Sequence, residues 1–366
     1  MLPLLRPTVA EIDLKKLARN LRNIRSQVGE KTAVLAILKA NAYGHGAVQI
    51  GQFIEENQLA QWFGVASVEE GVVLREAGLK TPVLVLGSIY PFEAFEYAVK
   101  YDLAVTVASL AAARAICNAA EKLGKQAVCH VKQETGMGRI GMRRGGTMQV
   151  LEFLHKNPHA VLDGLYSHLS CVETDPKFTE QQIGYFRDTL TSLQLKHITV
   201  PHIHIDASAA IFARPDAQYT LVRPGHSIYG LENGYEPVLS LKTRVVYVKD
   251  IPAGFSVSYN RSFIATRPMK IATLPLGYGD GYMRALSNKA DVLIRGKRCR
   301  VLGNVTMDML MVDITDAADV CVGDEVVAVG RQGSEEITLK ELADLAGTID
   351  YEICTQLNAR VPRIYK

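Results

Sequence analysis

The chain has 366 residues, 48% of them hydrophobic and 22% charged, with a net charge of +3. That is enough apolar material for a sizeable core, and the length favours two domains over one. A charge so close to balance gives no electrostatic reason to bind nucleic acid or an anionic membrane. No apolar run approaches the roughly 20 residues of a membrane span. The opening MLPLLRPTVAEIDLKK is broken by Pro3, Arg6 and Pro7, so no signal peptide is expected. The six scattered cysteines include no Cys-x-x-Cys pair and read as reduced thiols of a cytoplasmic enzyme.

The first element is a helix over EIDLKKLARNLRNIRSQVG. Leu14, Leu17, Leu21, Ile24 and Val28 mark one face, Asp13 is the expected N-cap and Gly29 the stop. Eight short strands follow: AVLAIL, FGVA, VLVLG, LAVTV, AVCHVK, GLYSH, HIHID and TLVR. Helix-period stretches such as SVEEGVVLREAG and SLAAARAICNAAEKLG separate most of them. Strand–helix alternation implies a parallel sheet, and eight units over residues 10–235 fit an α/β fold, a closed (β/α)8 TIM-like barrel. An open doubly wound sheet is the rival. From 236 to 366 short strands are joined by Gly, Asp and Pro turns. This reads as a C-terminal, mainly β domain, which the N-terminal segment 1–9 is expected to join. Within it TLKELADLAGT is a short helix, with Thr338 three residues before Glu341 as a capping box.

Barrel enzymes carry their chemistry at the carboxyl ends of the strands. Here those ends hold Lys39, Lys132, His168, Asp206, Ser208 and Arg223. The loops after the last two strands, DASAAI and VRPGHSIYG, sit where barrels often bind phosphate; Ser208 supplies a hydroxyl and Gly225 close backbone approach. A phosphorylated ligand opposite a desolvated lysine points to pyridoxal 5'-phosphate held as a Schiff base on Lys39. Two other motifs compete. GMGRIG (136–141) matches a dinucleotide fingerprint but follows the fifth strand, and MRRGGTMQ after it is a poor helix start. HIHID places His202, His204 and Asp206 on one strand face. With a carbamate on Lys132 that would suit a barrel metal hydrolase, although His-x-His there belongs on the first strand. No metal site is expected.

LKANAYGHG resembles the cofactor-lysine signature of bacterial alanine racemases, fold-type III pyridoxal-phosphate enzymes. KQETGMGRIGM, YSHLSC, RPGHSIYG, PLGYGDGYMR, VTMDM and YEICTQLNARVPRIY follow in the order of that family. The resemblance implies that Lys39 anchors the cofactor and acts as one base. Tyr278, from the partner subunit of a homodimer with shared sites, would be the other. It further implies that Tyr43, His168, His204, Ser208, Arg223, Gly225, His226 and Tyr351 surround the cofactor, with Arg223 facing the pyridine nitrogen and His204 behind it. Arg139 and the partner subunit's Met307 would bind the substrate carboxylate, and Lys132 would be carbamylated. Several positions depart from the family pattern. Gln133-Glu134 stand where an apolar residue and Asp are common, which makes Glu134 an alternative source of charge near Lys132. Asp206, Ala207, His226, Gly279 and Thr306 also differ. The expected activity is racemisation of L- and D-alanine, a small-molecule substrate, for peptidoglycan synthesis. A serine or broad-specificity racemase is the alternative on the same scaffold.

Overall fold

A computed structural model describes residues 5–366. The chain divides into two compact units, one of residues 18–42 and 47–228, the other of 5–17, 43–46 and 229–366. Residues 1–4 of the expected N-terminal segment lie outside the described residues. Residues 10–17 belong with the second unit rather than with the barrel. The reason is β1 (Val9–Ile12), which pairs antiparallel with β10 (Leu239–Arg244) and parallel with β20 (Arg363–Tyr365).

In the first unit the eight strands are β2 (Ala33–Ile37), β3 (Trp62–Val65), β4 (Val83–Val85), β5 (Ala104–Val107), β6 (Ala127–Lys132), β7 (Ala160–Tyr166), β8 (His202–His204) and β9 (Leu221–Val222). All pairings between them are parallel, in the order β8-β7-β6-β5-β4-β3-β2-β9. The ends meet: Thr220 N–H donates to Ile203 O at 3.1 Å and Arg223 N–H to Asp206 O at 3.0 Å, which nearly closes the barrel. Covered on both faces, such strands need apolar runs rather than alternation. Val34, Leu35, Ala36, Phe63, Leu84, Val85, Val105 and Val107 are accordingly buried. The helix Leu14–Val28 is capped by Asp13 Oδ1, which accepts Lys16 N–H at 3.0 Å, and it buries Leu17, Leu21, Ile24 and Val28 as its periodicity requires. One expectation fails. MRRGGTMQ does open a helix, Arg144–Lys156, because burial of Thr147, Val150, Leu151 and Leu154 outweighs its two weak glycines.

β2 leads into a feature with no obvious sequence signal. Lys39–Tyr43 form a turn in which Ala40, Asn41, Ala42 and Tyr43 all have left-handed backbones, φ 52–54°. Each non-glycine residue there costs about 1–2 kcal/mol. The turn is tied down by Glu70, whose carboxylate accepts Ala40 N–H at 2.7 Å and Ala66 N–H at 2.6 Å. Asn41 Oδ1 accepts Ala47 N–H at 2.9 Å.

The second unit contains β10, β11 (Tyr247–Ile251), β12 (Ser256–Val257), β13 (Phe263–Ile264), β14 (Met269–Leu274), β15 (Asp291–Ile294), β16 (Lys297–Leu302), β17 (Leu310–Asp313), β18 (Glu325–Gln332), β19 (Glu335–Ile337) and β20. The main sheet runs β11-β14-β17-β16-β15-β18-β10-β1-β20, with β19 on β18. Ile251, Val257, Ala265, Met269, Ile271 and Leu302 form one core cluster. Thr338 Oγ1 accepts Glu341 N–H at 3.0 Å, while the Glu341 carboxylate is engaged by Arg298. A second helix, Asp350–Gln356, lies beyond the one expected. Among the described residues no helix is long and apolar enough to cross a membrane.

Candidate active site

The rim of the barrel gathers Lys39, Lys132, Arg139, His168, His204 and Arg223 into one electrostatic neighbourhood. Arg223 is its structural centre and is 4% exposed. Its Nη1 donates to His204 Nδ1 at 2.8 Å; its Nη2 donates to Ser167 O at 2.8 Å and Ile205 O at 3.0 Å, with His168 Nδ1 at 3.3 Å. Burial pushes the guanidinium down to about 10, still charged at neutral pH. Beneath it Tyr166 stacks flat on His204, ring centres 4.7 Å apart. The Tyr166 ring also faces Lys132 Nζ at 4.6 Å and the Arg223 guanidinium at 5.3 Å. Its hydroxyl lies 2.6 Å from Thr106 Oγ1 and donates to Leu86 O at 3.2 Å. The sequence reading overlooked Tyr166 and Thr106. The strand period puts Tyr166 on the His168 face, but only the fold shows what stacks on it.

The cations act on one another. Burial, then Arg139, lowers the Lys39 pKa, with Glu70 opposing and Arg223 adding to the shift. Burial, then Arg223 and Arg139, lowers Lys132 to about 7. Burial and Arg223 drive His168 down to about 2, so it is a neutral acceptor. Glu134 acts on Lys132 through its charge, which opposes the lowering, but makes its hydrogen bonds elsewhere. Its carboxylate caps the loop that follows, accepting N–H from Gly136, Gly138 at 2.9 Å and Arg139 at 3.3 Å. The GMGRIG stretch is therefore folded around its own glutamate. His204 is equally committed, with Nδ1 accepting from Arg223 and Nε2 paired with His130 Nδ1 at 3.0 Å. That leaves it no lone pair for a metal ion.

At the end of β8, Asp206 is fully buried, and neither carboxylate oxygen has a hydrogen-bond partner. Burial raises it to about 7, partly offset by Arg223. Between about pH 4 and pH 7 the folded chain keeps a proton that the unfolded chain has released, so stability falls as pH rises across that window. Above about pH 7 the whole penalty is present. Asp206→Ala is thus expected to stabilise the cofactor-free protein by about 2–4 kcal/mol at alkaline pH. In urea denaturation the gain should vanish in acid, below the ordinary carboxylate range.

The loops after β8 and β9 converge on one atom. Ser208 Oγ accepts Gly225 N–H at 2.9 Å and Ser227 N–H at 3.4 Å, and lies 3.1 Å from Ser227 Oγ. Two amides and the Ser227 hydroxyl gathered on the Ser208 hydroxyl are a ready donor set for a phosphate. Ser227, fully buried, was also overlooked. His226 is half-buried in the same loop.

The second unit holds the other predicted residues in two groups. Tyr43 is buried, with Tyr229 at 5.3 Å and Tyr351 edge-on at 6.3 Å between ring centres. Tyr278 and Met307 lie side by side, 42% and 52% exposed, laced by Tyr278 N–H to Thr306 O at 3.0 Å and Gly279 N–H to Met307 O at 2.8 Å. Their turn is fixed from beneath by Asp280, fully buried, which accepts Gly277 N–H at 3.0 Å and pairs with Arg6 and Arg360. Arg6 and Asp280 had no place in the sequence reading, since they are far apart in the chain.

The model of the alanine racemase N-terminal domain matches residues 12–233, and that of the alanine racemase C-terminal domain residues 238–365. The alanine racemase of Carboxydothermus hydrogenoformans is 42% identical, over 99% of this chain and 100% of its own. That of Halothermothrix orenii is 40% identical, over 99% and 97%. Among solved structures, alanine racemase from Clostridium difficile superposes with a TM-score of 0.95 at 34% identity, covering 100% of this chain and 97% of that one. Alanine racemase from Bacillus anthracis with bound L-Ala-P gives 0.92 at 33% identity, covering 100% and 96%. Full-length identity of this order, on the same two domains and with a buried arginine–histidine pair at the barrel rim, leaves one conclusion: the chain belongs to the alanine racemase family.

Proposed function

We propose that the protein interconverts L- and D-alanine with pyridoxal 5'-phosphate, using Lys39 and Tyr278 of the partner subunit as two opposed bases. The observation that carries this reading is a lysine with a lowered pKa at the barrel rim, in the field of an arginine buried beside His204. The residues fit the cofactor. Ser208, Gly225, Ser227 and His226 would hold its phosphate, Arg223 would face its pyridine nitrogen, and His168 would lie against it. When bound, the cofactor acidifies the substrate Cα–H by delocalising the electrons left behind.

The chain's own groups do the rest. Lys39 is the covalent attachment, and its depressed pKa leaves a larger share of free amine to take or return the Cα proton on one face. Tyr278 of the partner subunit serves the other face, so the substrate need not turn over. Arg139 and the partner's Met307 bind the substrate carboxylate. Arg223 has only donors and cannot protonate the pyridine nitrogen, which restrains the cofactor and limits side reactions. The protein acts as a cytoplasmic homodimer that supplies D-alanine for peptidoglycan. Borohydride treatment of the yellow protein should fix the cofactor's mass on the peptide carrying Lys39. A colourless protein that gains no mass would refute the reading.

Lys132 carries a carbamate in this account. With its pKa at about 7, the amine is largely uncharged in mild alkali and can attack CO₂, forming an N–C bond and releasing one proton. The product puts an anion in place of that neutral amine among Lys39, Arg139 and Arg223, which offsets their mutual repulsion. Heavy-carbon bicarbonate should give a carbamate carbonyl resonance that Lys132→Met abolishes. Turnover should fall about tenfold, worth about 1.4 kcal/mol at the transition state.

A further inference from the structure

We propose that His130 and Asp163 are positioning residues which, through His204, set the orientation and effective charge of Arg223 from the neighbouring strands β6 and β7. This rests on the reading that Arg223 faces the cofactor's pyridine nitrogen. Three bonds in series carry it: Arg223 Nη1 to His204 Nδ1 at 2.8 Å, His204 Nε2 to His130 Nδ1 at 3.0 Å, and His130 Nε2 to Asp163 Oδ2 at 3.0 Å.

The direction of every bond follows from the first. A guanidinium can only donate, so His204 Nδ1 must accept and its proton must sit on Nε2. His130 Nδ1 then accepts, its proton sits on Nε2, and that proton points at the Asp163 carboxylate. The result is a cation and an anion joined through two neutral imidazoles, all three donors oriented one way. Charge states agree with this. Burial lowers both histidines, His204 well below its usual range, so each is neutral. Asp163 is pushed up by partial burial, yet lies below the usual carboxylate range, with the hydrogen bond from His130 the largest opposing effect.

The fold departs from regularity to make the last contact. Cys129 pairs with Leu162 but His130 pairs with Gly164, so Asp163 is the extra residue of a bulge in β7. A bulge re-aims a side chain that strict alternation would send to the other face. Gly164 has to be glycine for the same reason, since a Cβ there would lie 2.0 Å from His130 Nδ1. Trp62 packs edge-on against both His130 and His202, ring centres 5.3 and 5.2 Å away, and closes off this end of the relay.

The test uses the full-length, cofactor-loaded protein with heavy-nitrogen histidine. Two slowly exchanging imidazole N–H protons are expected, both on Nε2, assigned to His130 and His204. Asp163→Ala should lose the His130 signal and shift the cofactor's absorption band, while Arg223 keeps the His204 proton on Nε2. It should also lower kcat roughly tenfold with KM changed by less than about twofold. Asp163→Glu, which keeps the carboxylate, should restore signals and band. A proton on His204 Nδ1, or both N–H signals intact in Asp163→Ala, would overturn the proposal. If the signals respond but the band ignores both Asp163→Ala and Arg223→Gln, the relay stands and the placement of Arg223 at the pyridine nitrogen falls.

Discussion

Lys39→Ala is expected to remove essentially all turnover, by about 10⁴-fold or more, together with the yellow colour. In the proposed mechanism one substitution deletes both the covalent anchor and one of two bases. The loss will not come from unfolding. Lys39 is a half-buried rim residue whose ammonium form is penalised by burial and by Arg139. Removing it relieves the cofactor-free protein of that penalty, so its melting temperature should hold or rise. Thermal denaturation beside an absorption spectrum separates the two effects. A folded, colourless, inactive variant is the expected outcome; one that keeps its colour would place the attachment elsewhere.

Tyr278→Phe should keep the colour and lose activity by about 10³-fold, with an asymmetry that no simple structural lesion produces. A single base remains, so one enantiomer still exchanges its Cα hydrogen with deuterated solvent while the other does not. Tyr278 is 42% exposed on a turn locked by Asp280, Arg6 and Arg360, so the missing hydroxyl leaves the fold undisturbed. Wash-in of deuterium, measured separately from L- and D-alanine, reads the asymmetry directly. Equal loss in both directions would refute a two-base division of labour. Mixing Lys39→Ala with Tyr278→Phe subunits extends the test. Random pairing in a shared-site dimer leaves about a quarter of all sites with both bases, so activity should return to that level.

The parts of this molecule legible in its sequence are those that repeat or that a short motif carries. Eight apolar runs at regular spacing announce the barrel, because buried parallel strands have no polar face to confuse the pattern. Lys39, Lys132, His168 and Arg223 were readable as rim residues from strand ends alone. What stayed hidden depends on neighbours across strands. Tyr166 beneath His204, Thr106 at its hydroxyl and Glu70 under the left-handed turn are all supplied by other strands and helices. Asp163 could not have been placed, since strict alternation sends its side chain to the face opposite Tyr166 and only a bulge reverses that. Glu134 shows both sides. Its position beside Lys132 in sequence suggested a source of charge, and it does act on Lys132 electrostatically, but its hydrogen bonds to the loop's own amides were not legible.

The departures at Asp206 and Ala207 bear on tuning rather than on the two bases. A buried carboxyl that titrates near neutral pH beside Arg223 adds a charge that changes within the working range. The cofactor band of this protein should therefore move with pH near neutrality, and Asp206→Ala should flatten that response.

If the site removes and returns the Cα proton of alanine, polarimetry of pure L-alanine with the purified, cofactor-loaded protein will show it. Optical rotation is expected to decay to zero, with the same endpoint from D-alanine and a slower decay for L-serine. Unchanged rotation of alanine, in a protein whose Lys39 peptide carries the cofactor's mass after borohydride, would contradict it.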